Sequence, residues 1–206
     1  MKGNIAILAS FGTGCAIGLC GEFGTEIHDL SLYILYALIL QVGISIGRNN
    51  EVKQALSHID MQIFAIPAAT IAGTLVFSAI ASILLAQWSV FECMAVGSGF
   101  SYYSLASVLI TQLKEPSVGI QLATELGTIA LLANMVREMA ALFGSGLISK
   151  YFGKLAPISA AGVNSMDIIL PSIIRFSGKE MIPVAIIHGL IIDISVPLLV
   201  SFFCSL

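Results

Sequence analysis

Seven long apolar stretches, separated by short turns and few charges, constrain this chain more than any other feature. About 20 helical residues cross a bilayer roughly 30 Å thick, and only 10% of the residues here are charged, whereas a soluble domain carries roughly 25%. We therefore expect an all-α polytopic membrane protein with a single transmembrane domain over residues 1–206 and about seven transmembrane helices. The predicted spans cover approximately residues 5–20, 31–47, 62–87, 93–111, 123–149, 157–174 and 181–204.

Several other protein classes are excluded by composition and motifs. A net charge of −3 with no basic face argues against a nucleic-acid binder. The serine and aspartate motifs of intramembrane proteases and the glycine-rich phosphate loop are missing, so we expect no enzyme activity. The four cysteines lie in or beside apolar stretches without metal-ligand spacing, and we expect no metal and no cofactor.

The basic residues in the loops predict an orientation, because Lys and Arg favour the cytoplasmic side. With the N-terminus in the cytoplasm and the C-terminus outside, six basic residues fall inside and two outside. The inside set is Lys2, Arg48, Lys53, Lys114, Arg175 and Lys179, and the outside set is Lys150 and Lys154. A cleaved signal peptide at the first stretch is the alternative, which Gly12, Gly14 and Gly18 make less favourable.

The fifth stretch places two ionisable residues, Arg137 and Glu138, near the centre of an apolar helix. Such groups are costly in lipid and indicate function by default. Asn134, Glu138, Ala141 and Ser145 share one small and polar face, which predicts packing toward protein or water. Either the Arg-Glu pair ties helices together, or Glu138 binds a cation or proton.

The sixth stretch is predicted to be a broken helix. Residues 162–167 read Gly-Val-Asn-Ser-Met-Asp, a run that weakens a helix. Pro171 follows, and it has no backbone N–H to donate to a helical hydrogen bond. Interrupted helices at membrane depth line cavities and can coordinate substrate or ions through free backbone groups. Asn164, Ser165 and Asp167 are therefore candidate ligands, and the alternative is a kink in which Asp167 caps the second half-helix.

Two further stretches carry candidate residues. In the fourth, Tyr102 and Tyr103 could offer an aromatic face to an ammonium group, although Gly97 and Ser101 could equally serve close helix packing. In the seventh, His188 could relay protons or be a hydrogen-bonded core histidine. Asp193 lies nearer the middle of that stretch, and the sequence assigns it no role.

Taken in order, these motifs resemble the LysO lysine exporter family. The resemblance covers most of the chain and rests on residues 42–50, the Ser98–Leu105 run, Arg137-Glu138, the Asn164–Asp167 run with Leu170-Pro171, and Pro183–Gly189. Where members often have Gly-Phe-Gly-Trp-Tyr-Ser-Leu, this chain has Ser101 and Tyr102 in place of Gly and Trp.

The resemblance implies secondary active export of L-lysine, and of analogues such as thialysine, across the prokaryotic plasma (inner) membrane. It implies coupling to protons or sodium through intramembrane carboxylates, with Glu138 matching the Arg-Glu motif. In the expected site, Glu138 and Asp167 hold ammonium groups and backbone N–H groups of residues 162–165 take the carboxylate. The alternatives are a transporter of another amino acid or cation, or a membrane scaffold subunit.

Full-length members resemble this sequence preceded by about three more spans. Ten spans would suit two inverted repeats of five helices, in which the stretch at 5–20 is the counterpart of the broken one at 157–174. We accordingly expect a small membrane subunit to supply the additional spans.

Overall fold

The computed structural model describes residues 64–85 and 87–206, with the isolated positions Thr13, Tyr33, Leu40 and Ile44. The predicted spans at 5–20 and 31–47 lie outside the described residues. Within the two described ranges, the secondary structure consists of helices and turns, without strands.

Seven α-helices and two short 3₁₀ helices follow one another over these ranges. Glycines with positive φ separate them at Gly119 (82°), Gly153 (90°) and Gly178 (105°), a backbone conformation that other residues rarely adopt. The helices are α1 Ala65–Ala81, α2 Val90–Gly97, α3 Tyr103–Val118, α4 Ile120–Phe152, α5 Ala156–Ala161, α6 Leu170–Ser177 and α7 Ile182–Cys204, with 3₁₀ helices at Gly162–Met166 and Lys179–Met181.

Two of the described helical segments are long and apolar enough to cross a bilayer, Ile120–Phe152 and Lys179–Cys204. The third apolar helix, α1, has 17 residues. Large apolar side chains point away from the protein on all three, because Phe77, Phe143 and Leu198 are 73%, 81% and 65% exposed. Exposed apolar residues on several helices are typical of a surface that faces lipid.

Helices α2 and α3 form a hairpin, here called the first hairpin (residues 90–118). Ser89 and Glu92 start α2 with a reciprocal capping box. The chain turns at residues 98–102, and Lys114 Nζ in α3 then lies 3.6 Å from Glu92 Oε1. Because Lys114 in α3 contacts Glu92 at the beginning of α2, the outer ends of the two helices lie together. Cys204 of α7 lies near them.

Helices α5 and α6 form a second hairpin (residues 154–180) that enters from the opposite end of α4. Its outer ends meet where Lys154 Nζ donates to Glu180 Oε1 at 2.8 Å. Beside them, Ser149 near the end of α4 donates to the Phe176 carbonyl oxygen at 3.1 Å. The two hairpins thus approach each other from the Lys114 end and the Lys154 end of the long helix.

These contacts refine two sequence predictions. The predicted break in the sixth stretch is present, because α5 stops at Ala161 and α6 begins at Leu170. The predicted placement of Lys154 on the opposite face from Lys179 is wrong, since Lys154 contacts Glu180, the residue next to Lys179. Loop charges alone cannot distinguish a crossing helix from one that turns back.

The second hairpin can be tested by crosslinking in a cysteine-free background. We expect Lys154→Cys with Glu180→Cys to be joined by a short bismaleimide, because their native side chains are in contact. Lys154→Cys with Lys114→Cys is the control, since α4, about 50 Å long, separates their ends. If residues 157–174 crossed the membrane as one helix, the first pair would be about 30 Å apart and would not crosslink.

Candidate functional site

The tips of the two hairpins meet beside the middle of α4. Val163 N donates to the Phe100 carbonyl oxygen at 3.0 Å. Gly162 has a φ of 61° and packs so closely that a Cβ on it would overlap the Phe100 carbonyl oxygen. Phe100 and Ser101 themselves have φ values of 41° and 74°, which only a well-supported turn can hold.

Asn134 on α4 supports the turn at Phe100 and Ser101. Its Oδ1 accepts from Ser101 N at 2.9 Å, and its Nδ2 donates to the Val96 and Ala130 carbonyl oxygens at 2.9 Å. Asn164 of the second hairpin donates to the Ser101 carbonyl oxygen at 3.4 Å. Side-chain amides therefore satisfy backbone groups that the broken helices leave without partners.

Arg137 supports the second hairpin rather than pairing with its neighbour Glu138. Its Nε and Nη2 donate to the carbonyl oxygens of Ala160 and Ser159, at 3.1 and 3.0 Å. Its Nη1 donates to Thr74 Oγ1 at 3.3 Å, and its guanidinium carbon lies 5.5 Å from the centre of the Phe100 ring. The cation thus caps the negative C-terminal end of α5 and holds it against both α1 and the first hairpin.

Glu138 lies on the same buried face of α4 as Asn134 and Ser145, as the sequence predicts. Its side chain is 1% exposed, and neither carboxylate oxygen has a hydrogen-bond partner within the described part of the chain. Asn164 and Asp167 lie close enough to interact with this carboxylate, but Asn164 forms no well-aligned hydrogen bond with it. Tyr103 also lies within electrostatic range of Glu138. A buried carboxylate without a partner can accept a cation or a proton.

His188 is fully buried and joins three elements. Its Nδ1 lies 3.1 Å from Ser165 Oγ in the second hairpin, and its Nε2 lies 3.0 Å from Thr70 Oγ1 in α1. Both hydroxyls also lie within donating distance of backbone carbonyl oxygens. Each hydroxyl can give its proton to a carbonyl or to the ring, so a neutral imidazole is satisfied in either tautomer. The geometry is that of a hydrogen-bonded core histidine.

An open groove of about 570 Å³ lies between α1 and the α4–α5 region. Thr70, Thr74, Ser159 and Arg137 are among its lining residues, whereas Glu138 is absent from them. Arg137 therefore borders open space on one side of α4, while Glu138 is enclosed on another.

The structure brings together most of the residues that the sequence singled out. Asn164, Asp167 and Tyr103 lie within electrostatic range of Glu138, and Tyr102 lies within electrostatic range of Asp193. Ser165, His188 and Arg137 make supporting contacts around them. The Val163 amide, one of the groups expected to take a carboxylate, already donates to Phe100.

Two supporting interactions were missed at the sequence level. The threonines of α1 that contact Arg137 and His188 carried a weak signal, the spacing of Thr70 and Thr74 on one helical face. The reversal at Phe100 and Ser101 carried none, because both residues adopt a backbone conformation that glycine usually supplies.

This arrangement defines a helical membrane protein whose polar centre is built where two broken-helix hairpins meet. The sequence profile of the family described as "Lysine exporter LysO" matches residues 8–204. The chain belongs to this family.

Two relatives align with almost the whole chain. The lysine exporter LysO of Escherichia coli is 30% identical over 194 residues, which are 93% of this chain and 61% of that protein. The putative lysine exporter of Haemophilus influenzae is 30% identical over 200 residues, 97% of both chains. The chain thus spans less than two thirds of the E. coli relative, and no solved structure matches it.

Substitution of Gly162 tests the contact between the hairpin tips. Gly162→Ala should lower the free energy of unfolding by about 3 kcal/mol or more, because it adds both backbone strain and overlap with Phe100. Gly153→Ala is the matched control, since Gly153 also has a positive φ but open space around it. It should cost about 1–3 kcal/mol from backbone strain alone. Denaturant unfolding in micelles measures both, and equal losses would contradict the tip contact.

Proposed function

We propose that this chain forms an export path for L-lysine, with an ammonium group of the substrate bound by Glu138. Family membership and the names of its two relatives support lysine as the substrate. The supporting observation is the Glu138 carboxylate, which is buried near the hairpin tips and has no hydrogen-bond partner on either oxygen in the described part of the chain.

The same carboxylate offers a mechanism for coupling to an ion gradient. An empty, ionised Glu138 is unfavourable in this enclosed site, so it is always occupied by a proton, a sodium ion or the ammonium group. Because only one of these can occupy the carboxylate at a time, the substrate leaves when a proton or a sodium ion replaces it. Movement of substrate and ion in opposite directions is antiport. Asn164 and Asp167 supply additional oxygens for the ammonium group, and Tyr103 supplies an aromatic face.

Arg137, Ser165 and His188 act as positioning residues in this scheme. Arg137 holds the end of α5, and His188 with Ser165 holds the turn of the second hairpin against α1 and α7. Both hairpin tips must move for the substrate to pass, so these bonds lie where the open and closed conformations would differ.

We propose that each hairpin enters and leaves the membrane on one side, in place of two single crossings at 93–111 and 157–174. The contacts Glu92–Lys114 and Lys154–Glu180 support this topology. α1, α4 and α7 are then the crossing helices in the described ranges. Hairpins that enter from opposite sides are also compatible with the predicted inverted repeat, although its predicted partner at 5–20 lies outside the described residues.

We propose further that the Lys154 end faces the cytoplasm and the C-terminus lies outside. Four of the described basic residues, Lys150, Lys154, Arg175 and Lys179, are at the Lys154 end. Lys114, at the other end, is buried against Glu92. The positive-inside preference favours this orientation, which keeps the expected location of the C-terminus in a prokaryotic inner membrane.

Labelling tests the orientation in a cysteine-free background. A membrane-impermeant maleimide should modify Lys154→Cys in inside-out vesicles and Gln87→Cys in intact spheroplasts. The side chains of Lys154 and Gln87 are both exposed, so only the side of the membrane decides whether the maleimide reaches them. Labelling of Lys154→Cys from the outside would reverse the proposed orientation.

A Glu138→Gln variant tests the substrate site. It keeps the size of the side chain but removes the charge, and lysine efflux should fall by about tenfold or more, as for loss of a charged hydrogen bond. The measurement is efflux of labelled lysine from preloaded cells that lack their own exporter. Glu125→Gln is the control, because Glu125 is an exposed carboxylate on the same helix.

Wild-type efflux by Glu138→Gln, with normal membrane insertion, would contradict the site. Sensitivity to thialysine in cells lacking this gene would favour lysine over another amino acid or cation, and it would also argue against a scaffold subunit. The small membrane subunit stays a prediction.

A further inference from the structure

Arg137 is a cation without a counter-ion at the edge of the open groove beside α1. Three of its five N–H groups donate to the Ala160 and Ser159 carbonyl oxygens and to Thr74 Oγ1. One N–H on each terminal nitrogen is therefore unused, and no carboxylate in the described ranges forms an ion pair with the guanidinium. A charge at membrane depth is costly unless it is paired, so the guanidinium favours an anion.

The lining of the groove has the chemistry of an anion site. It consists of the guanidinium, hydroxyl groups and small or apolar side chains, and none of its described residues is acidic. The hydroxyls of Thr74, Ser78 and Ser159 donate to no group in the described part of the chain, so they are available as donors. The volume of about 570 Å³ lies in the range of small-ligand sites, roughly 300–1,000 Å³.

A second, more enclosed space of about 310 Å³ adjoins the guanidinium between α1, α2 and α4. Arg137, Thr74 and Ser78 line both spaces, so the bond between Arg137 and Thr74 lies at their boundary. The second space reaches Trp88 toward the Lys114 end, and its described lining also has no acidic residue. The guanidinium thus faces open space along α1 without meeting a protein counter-ion there.

The depth of Arg137 selects the kind of anion. It lies seventeen residues after the start of α4 (Ile120–Phe152) and fifteen before its end, near the middle of the membrane. Lipid phosphates stay outside a hydrocarbon core roughly 30 Å thick, so they do not reach this depth. One of the backbone donors expected to take a substrate carboxylate, Val163 N, is already bonded to Phe100. A carboxylate on a transported solute is the anion that fits both observations.

We propose that the groove binds the α-carboxylate of the exported amino acid, with Arg137 as its counter-ion. The two unused N–H groups of Arg137 donate to the carboxylate oxygens, and the hydroxyls of Thr74 and Ser159 add further donors. Glu138 does not line the groove, so the carboxylate and the ammonium group are bound at separate places along the export path. The inference rests on the proposed function for the identity of the cargo.

Uptake into inside-out membrane vesicles tests the carboxylate site, with labelled lysine and lysine amide as the two substrates. The vesicles come from cells that lack their own exporter and express the full chain. Lysine amide keeps both ammonium groups but has a neutral carboxamide in place of the carboxylate. At low concentration, the wild type should take up lysine about tenfold or more faster than the amide, the difference expected for a charged hydrogen bond.

Arg137→Gln should remove this preference for lysine. The preference separates substrate binding from the support that Arg137 gives to α5, because loss of that support slows both substrates alike. A wild type without the preference would overturn the proposal. An Arg137→Gln variant that slows both substrates but keeps the preference would also overturn it.

Thr74→Val is the second variant, in case Arg137→Gln does not fold. It keeps the shape of the side chain and the bonds from Arg137 to α5, but it removes one donor to the carboxylate. The preference for lysine should fall about fivefold, as for loss of one hydrogen bond. Thr124→Val is the matched control, because Thr124 is an exposed threonine on α4. An unchanged preference in Thr74→Val would contradict the site.

Glu138→Gln separates this inference from the proposed function. It should slow both substrates and keep the preference, because both substrates carry ammonium groups. If Glu138→Gln behaves as the wild type while Arg137→Gln loses the preference, the ammonium site fails and the carboxylate site stands. The reverse pattern overturns the carboxylate site alone. A wild type that takes up neither substrate would contradict both proposals.

Discussion

Backbone groups freed by a broken helix must find partners inside the protein, because lipid offers none. Two breaks meet beside the centre of α4, and each satisfies part of the other through Val163 N and the Phe100 carbonyl oxygen. Asn134 and Arg137 of α4 supply further donors, one for each hairpin, and Asn164 supplies another to the first. The polar residues of α4 are therefore first a requirement of the fold.

Because the backbone groups at the two breaks have hydrogen-bond partners, the buried carboxylate oxygens that have none are informative. Glu138 and Asp193 are both buried, and in the described chain both oxygens of Glu138 and one of Asp193 have no hydrogen-bond partner. The protein retains two costly acids although most of the nearby buried polar groups are paired. Under the proposed function, a transported cation or a coupling ion would supply the missing partner in some states of a transport cycle.

The sequence predicts the composition of this centre better than its geometry. The face of Asn134 and Glu138 and the break after Ala161 follow from local signals, namely helical spacing and a run of helix-weakening residues. The turn at Phe100 and Ser101 was less predictable, because these residues hold positive φ values only through contacts with α4 and the second hairpin.

The direction of the chain after each break was also beyond local signals. A weak point in an apolar stretch predicts an interruption, but distant contacts decide whether the chain continues across or turns back. Lys154 and Glu180 lie 26 residues apart, and their contact is established by the packing of both half-helices against α4. Distant contacts also decide whether Glu138 has a partner. Its sequence position suggested a pair with Arg137, but the guanidinium of Arg137 is bound by the second hairpin instead.

The central claim is that lysine binds where the two hairpins meet, with an ammonium group at Glu138. A cryo-electron microscopy structure of the chain with bound lysine tests it most directly. The account predicts ligand density beside Glu138, Asn164 and Asp167, between hairpins that each return to their own side of the bilayer. Lysine density away from Glu138, or a continuous crossing helix over residues 157–174, would contradict it.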